Sequence, residues 1–190
     1  MQLKKSTWLL LFIAFSLGGW VYFYEIKKTV KIDRAIALQQ QVFNITEAEI
    51  QKITITKAEN TLTFVRTENN DRPWQMKQPE DVPVNEGTIA FLLDLIATGK
   101  SDRSFAVPSS KLARYGLDQS ATKISLELSD NSSQEIILGN ANFSDRLVYA
   151  LVNPPNNPQA KSDSQITVLL VSKNWHYAVE RDLSEWKQTP

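Results

Sequence analysis

Between Lys5 and Glu25 the chain runs for 19 residues without a charge, "STWLLLFIAFSLGGWVYFY". As a helix rising 1.5 Å per residue it covers about 28 Å, close to the hydrocarbon thickness of a bilayer. A buried core helix is the alternative, but an uncharged run of this length between lysine-bearing flanks has no amphipathic pattern. Trp8 stands near one end and Trp20, Tyr22 and Tyr24 near the other, where amphipathic rings sit between lipid and water. These four are read as membrane-interface anchors. Residues 6–25 are read as a transmembrane helix and residues 1–5 as a cytoplasmic tail. A cleaved signal peptide would end in a short polar region with small residues. Here the run ends in aromatics and "EIKK", so the anchor is expected to stay attached.

The sense of insertion is open. Lys4, Lys5 and the amino terminus favour a cytoplasmic N-terminus, with the domain on the periplasmic side or in a thylakoid lumen. Lys27, Lys28, Lys31 and Arg34 outnumber them on the other side, which draws the domain toward the cytoplasm.

The whole chain balances 21 basic against 21 acidic residues. Residues 1–34 hold six basic residues (Lys4, Lys5, Lys27, Lys28, Lys31, Arg34) and two acidic ones (Glu25, Asp33). The rest therefore carries 15 against 19, a net charge of −4. That sign gives no footprint for nucleic acid and makes the lipid bilayer the partner of the basic excess. No cysteine is present, which excludes disulfides, thiolate nucleophiles and cysteine-based metal sites.

Residues 26–44 lack proline and glycine and are read as a stalk or linker, with the folded domain spanning 45–185 and a tail at 186–190. "KITITK" (52–57) and "TLTFVR" (61–66) alternate β-branched and polar residues, the pattern of a hairpin, and "PWQMK" (73–77) reads as a third strand. In "PVNEGTIAFLLDLIATGK", Asn85 is a candidate N-cap and Gly99 a candidate C-cap. Ile89, Leu92, Leu93 and Ile96 share one helical face. The second half repeats the plan: strands at 123–128, 134–138 and 146–152, a proline-rich loop at 153–165, a buried strand at 166–171 and a closing helix from Ser172. The expected class is α+β, with antiparallel sheets and helices on one face, in two strand-strand-strand-helix units (lobes about 45–107 and 117–185).

Little of the sequence points to chemistry. His176 is the only histidine, so no paired-histidine metal site exists, and it lies between Trp175 and Tyr177 where packing is the default. The six glycines are too scattered for a phosphate cradle. The strongest cluster is "SSKLARYGLDQ" (109–119). As structure it is a joint: a short helix, then Gly116 where left-handed geometry stops it, with Tyr115, Leu117 and Asp118 around it. As a site it would gather Arg114, Tyr115, Asp118, Asp145 and Arg146 into one pocket. The structural reading is preferred. No catalytic residue, cofactor or metal is expected.

The runs "YGLDQSATKISLEL", "IILGN" and "VYALV", with "PWQMKQPEDVPVNEGTIAFLLDLI" upstream, resemble the bacterial family catalogued as domain of unknown function 4340. The resemblance covers most of 45–185 and is closest to short, single-module cyanobacterial members. It implies an anchor of one N-terminal helix and an accessory role outside the cytoplasm, since some members are encoded beside membrane-transport or gliding-motility components. The family has no established catalytic residues to carry over. The expected function is therefore a non-catalytic, membrane-anchored accessory or assembly protein whose domain binds other proteins of a membrane complex. The alternative is an extracytoplasmic ligand-binding module or envelope-polymer enzyme, linked to a transporter.

Overall fold

The structure, a computed structural model, describes residues 40–58, 60–69, 73–118, 121–154 and 164–188. The 19-residue apolar run, its four aromatic anchors and most of the 153–165 loop lie outside the described residues. Among the described residues no helix is long and apolar enough to cross a membrane.

The alternation in the sequence becomes a strand wherever one face has a core to cover. In β1 (Ile50–Lys57), Ile53 and Ile55 are buried while Thr54 and Thr56, which alternate with them, are not. β1 turns through Ala58, at φ 50°, into β2 (Asn60–Arg66). β3 (Trp74–Gln78) and the two-residue β4 (Val82–Pro83) follow. Asn85 then caps α1 (Glu86–Thr98), its side-chain oxygen accepting from the Thr88 amide at 3.0 Å. Ile89, Leu92, Leu93 and Ile96 of α1 are buried against the sheet, each worth about 1.5–3 kcal/mol of transfer free energy. The second half supplies β6 (Thr122–Leu128), β7 (Ser133–Ala141), β8 (Leu147–Val152) and β9 (Gln165–Ser172). The closing helix is two short ones, α2 (Asn174–Val179) and α3 (Leu183–Trp186).

These strands and β5 (Ser101–Pro108) join one antiparallel nine-stranded sheet, in the order β4-β3-β2-β1-β6-β7-β8-β9-β5. The expected separate lobes are thus fused through the β1–β6 pairing, where Ile53 faces Leu126 and Ile55 faces Ile124. The α+β class stands as one large antiparallel sheet with a few helices. Read outward from β1 and β6, each half carries its four strands in the same succession, then its helix. Each half also sends its next segment across to the other. β5 (Ser101–Pro108), which follows α1, lies beyond β9 at one edge. The backbone after α3 closes the opposite edge: Val84 pairs with Lys187, and the Gln188 amide donates to the Pro83 carbonyl at 3.1 Å.

Two boundaries and one strand differ from the sequence expectation. The folded unit begins at Gln40 rather than Ile45, because Val42 and Phe43 are buried and the Val42 amide donates to the Gly99 carbonyl. It extends past residue 185, because Trp186 is fully buried with its ring 4.7 Å from that of Phe64. β5 had no alternating signal, being an edge strand whose residues 102–104 are all exposed. Gly99 caps α1 as the sequence suggests, but without left-handed geometry (φ −58°); what it needs is room, since a Cβ there would run into the Leu95 carbonyl oxygen.

The two sheet faces are unlike. The main core lies under α1–α3 and includes Ile53, Leu126, Ile136 and Val171. On the opposite face a smaller cluster, Val107, Leu112, Leu117, Leu151, Ile166 and Val168, is covered by the 3-10 helix Ser109–Tyr115. Adjacent residues such as Ala150 and Leu151 fall in different clusters, as the pleat requires.

Candidate functional site

The joint is built as a stop. The 3-10 helix ends at Gly116, which takes φ 70° and ψ 19°, and the Leu117 amide reaches back to the Leu112 carbonyl at 3.2 Å. Any Cβ at 116 would lie 2.6–2.8 Å from Asn140 atoms, so glycine is needed for space as well as for φ. Tyr115 turns onto the outer face of the sheet, its ring 4.8 Å from Tyr149 and 5.6 Å from Phe105. Leu117 is buried beneath, while Arg114 and Asp118 are exposed.

Asp145 and Arg146 sit elsewhere, in the β7–β8 turn. Asp145 takes φ 55° and pairs with Lys173 at 2.6 Å, an interaction that holds the lysine's pKa above its ordinary value. Both residues are exposed. None of Arg114, Tyr115, Asp118, Asp145 and Arg146 lines the cleft described next. The Nε2 of His176 lies 2.9 Å from the Gly139 carbonyl, an acceptor only, so that nitrogen carries the hydrogen and the ring acts as a packing link.

A concave feature lies on the helix side, at the sheet end where the β1–β2 and β3–β4 turns meet the α2–α3 connection. It encloses about 750 Å³ and is lined by Ile55, Lys57, Leu62, Gln78 and Arg181 among others. Gln78 and Pro79, joined by a cis peptide, form one wall. Its charges are already partly engaged. Lys57 lies 3.8 Å from Glu180, and Arg181 lies 3.3 Å from Glu185 with its guanidinium 5.7 Å from the Phe91 ring. The Arg181 Nε is buried without a hydrogen-bond partner. Such a cleft can hold a polar ligand. Among the described residues no three His, Asp or Glu side chains gather as a metal site requires. Sequence reading missed the cleft because its walls come from three segments, 55–62, 78–79 and 179–183, the last about 100 residues beyond the others, and none of them carries a motif.

The fold defines an α+β domain built on one broad antiparallel sheet with a few helices. The family model for domain of unknown function 4340 matches residues 74–189, more than half the chain, and the protein belongs to that family. The match begins at Trp74, the first residue of β3, and runs through the joint to the C-terminal edge pairing. No curated protein and no solved structure matches the chain.

Proposed function

We propose that this protein is a single-span, membrane-anchored accessory or assembly subunit. Its domain lies outside the cytoplasm and binds other proteins of a membrane complex without catalysing a reaction. The observation that carries the reading is the outer edge of β5. Gln41 pairs with Lys100 just before the strand begins, and the Ser101 amide donates to the Gln40 carbonyl. From Asp102 to Pro108 no other described strand covers that edge. An open edge offers alternating backbone donors and acceptors to an added strand. The uncharged run at 6–24 supports the anchor, and the aromatic face of Phe105, Tyr115 and Tyr149 beside β5 supplies side-chain contact area.

The test is capture from native membranes with a photo-crosslinker at Ser104. A discrete adduct that is lost when Ala106→Pro removes a backbone donor two residues along the same strand supports the proposal. Absence of any stable partner, in crosslinking and in pull-down from solubilised membranes, overturns it. The second reading, an extracytoplasmic ligand-binding module or envelope-polymer enzyme linked to a transporter, is favoured by the cleft at Lys57 and Arg181. It predicts a soluble ligand whose binding is lost in Arg181→Ala.

A further inference from the structure

Phe143 is a large apolar side chain held fully in solvent. The turn that carries it is built to present it. The Asn142 side-chain oxygen accepts from the Ser144 hydroxyl at 3.1 Å and from the Leu147 amide at 3.1 Å, while the Asn142 amide donates to the Leu147 carbonyl at 2.7 Å. The Lys173–Asp145 ion pair and the Lys173 amide on the Arg146 carbonyl tie the turn to the end of β9. Tyr177, more than half exposed, lies beside the same lysine, whose Nζ is 5.6 Å from its ring.

Pairing registers show which end of the sheet this is. Ala141 faces Val148, Val148 faces Val171, and Val171 faces Ser101, whose amide is bound to Gln40. The turn bearing Phe143 and the point where the preceding 39 residues enter the domain therefore share one end. The opposite end holds the β6–β7 turn and the 153–165 connection.

We infer that Phe143, flanked by Tyr177, Lys173 and Arg146, dips into the headgroup layer of a lipid bilayer. This rests on the anchor reading of residues 6–24. A protein partner is the less favoured occupant. Protein hot spots are embedded in a packed apolar patch, whereas Phe143 shares its turn with Ser144, Asp145 and Arg146, all exposed. A lipid interface needs no complementary pocket and accepts single aromatic rings, with tyrosine and lysine at the boundary. The described domain begins at Gln40, at this same end, so an anchor preceding it would attach here.

The chain lacks cysteine, so a single nitroxide label can be placed at will. The full chain is reconstituted into phosphatidylcholine–phosphatidylglycerol vesicles and floated. A label at Ser144→Cys is then compared with one at Ser133→Cys, at the other end of β7. The expected result is a label at 144 accessible to oxygen and shielded from a water-soluble nickel chelate, and the reverse at 133. Adding Phe143→Ala should cut the shielding at 144 about tenfold. A chain that floats with both labels equally open to the chelate overturns the inference and leaves the anchor intact. A chain that does not float overturns both. A label at 144 that is water-exposed in vesicles but immobilised in native membranes overturns it in favour of a protein contact.

Discussion

Trp186 gives the sharpest test of how the domain is closed. Its indole is fully buried, stacked at 4.7 Å and tilted 35° on Phe64, and its backbone carbonyl accepts from the Asn85 amide at 2.8 Å. Trp186→Ala leaves a cavity in the main core, for which a loss of about 3–5 kcal/mol is usual. The Phe64 ring contact adds about 0.5–1.5 kcal/mol. Against this, the Trp186 Nε1 is buried without a partner, so removing it relieves a desolvation penalty of about 1–3 kcal/mol. The net expectation is about 3–4 kcal/mol, a fall in Tm of roughly 10 °C for a domain of this size. Trp186→Phe keeps the ring contact, discards the orphan donor and leaves a smaller void, so it should cost less than about 1.5 kcal/mol. Urea and thermal unfolding of the full chain in mild detergent, followed by near-ultraviolet circular dichroism, measures both. If Trp186→Ala stays within about 1 kcal/mol of the parent, residue 186 belongs to a tail and the closure of the β4 edge described above is wrong. If the phenylalanine variant is as damaged as the alanine one, the ring contact is not what matters.

Three further outcomes follow from local geometry. Gly116→Ala forces left-handed backbone on a residue with a Cβ and drives that Cβ into Asn140; unfolding should show a loss of about 2 kcal/mol or more. The Arg66 guanidinium donates to both the Ile50 and Glu47 carbonyls, at 2.8 and 2.7 Å, and lies 4.8 Å from the Trp74 ring. Arg66→Lys cannot span both acceptors and should lower stability by about 1–2 kcal/mol in the same assay. Asp130 is held below its ordinary pKa by the Ser132 hydroxyl and amide, as Glu49 is by Thr46 and Asp81 by Lys77. A lowered folded value means that these contributions are full above the ordinary carboxylate range, about 4, and vanish as pH falls through the folded values. Ser132→Ala should therefore raise the Asp130 pKa in a carboxyl-carbon NMR titration, and an unchanged value would remove the hydroxyl from the account.

Much of the fold was legible because local chemistry and global placement agree. The β1–β2 and β6–β7 hairpins alternate visibly because each has one covered face, and α1 shows its buried stripe and its Asn85 cap. The union of two expected lobes into one sheet was not legible. It depends on β1 meeting β6, a pairing more than 65 residues apart that no local pattern encodes. Trp186 was taken for a tail residue because it is a lone aromatic in "LSEWKQTP", with no periodic neighbours to mark it as core. The joint was readable from Gly116 alone, whereas the cleft and the Phe143 tip arise only when distant turns come to one sheet end.

The exchange of segments between the halves has a consequence for how the chain is made. β5 leaves the ribosome complete about 60 residues before its partner β9 exists, and at usual elongation rates that is a wait of roughly 3–13 s. The N-terminal half thus cannot finish during synthesis, and its other flank stays unsealed until Lys187 emerges. An ordinary hydrophobic strand left waiting so long would recruit the wrong neighbour. "SDRSFAVP" is tolerable in that interval because Asp102, Arg103 and Pro108 resist premature pairing. The charges and proline that leave β5 without an alternating signal also guard it against the wrong neighbour until β9 is made.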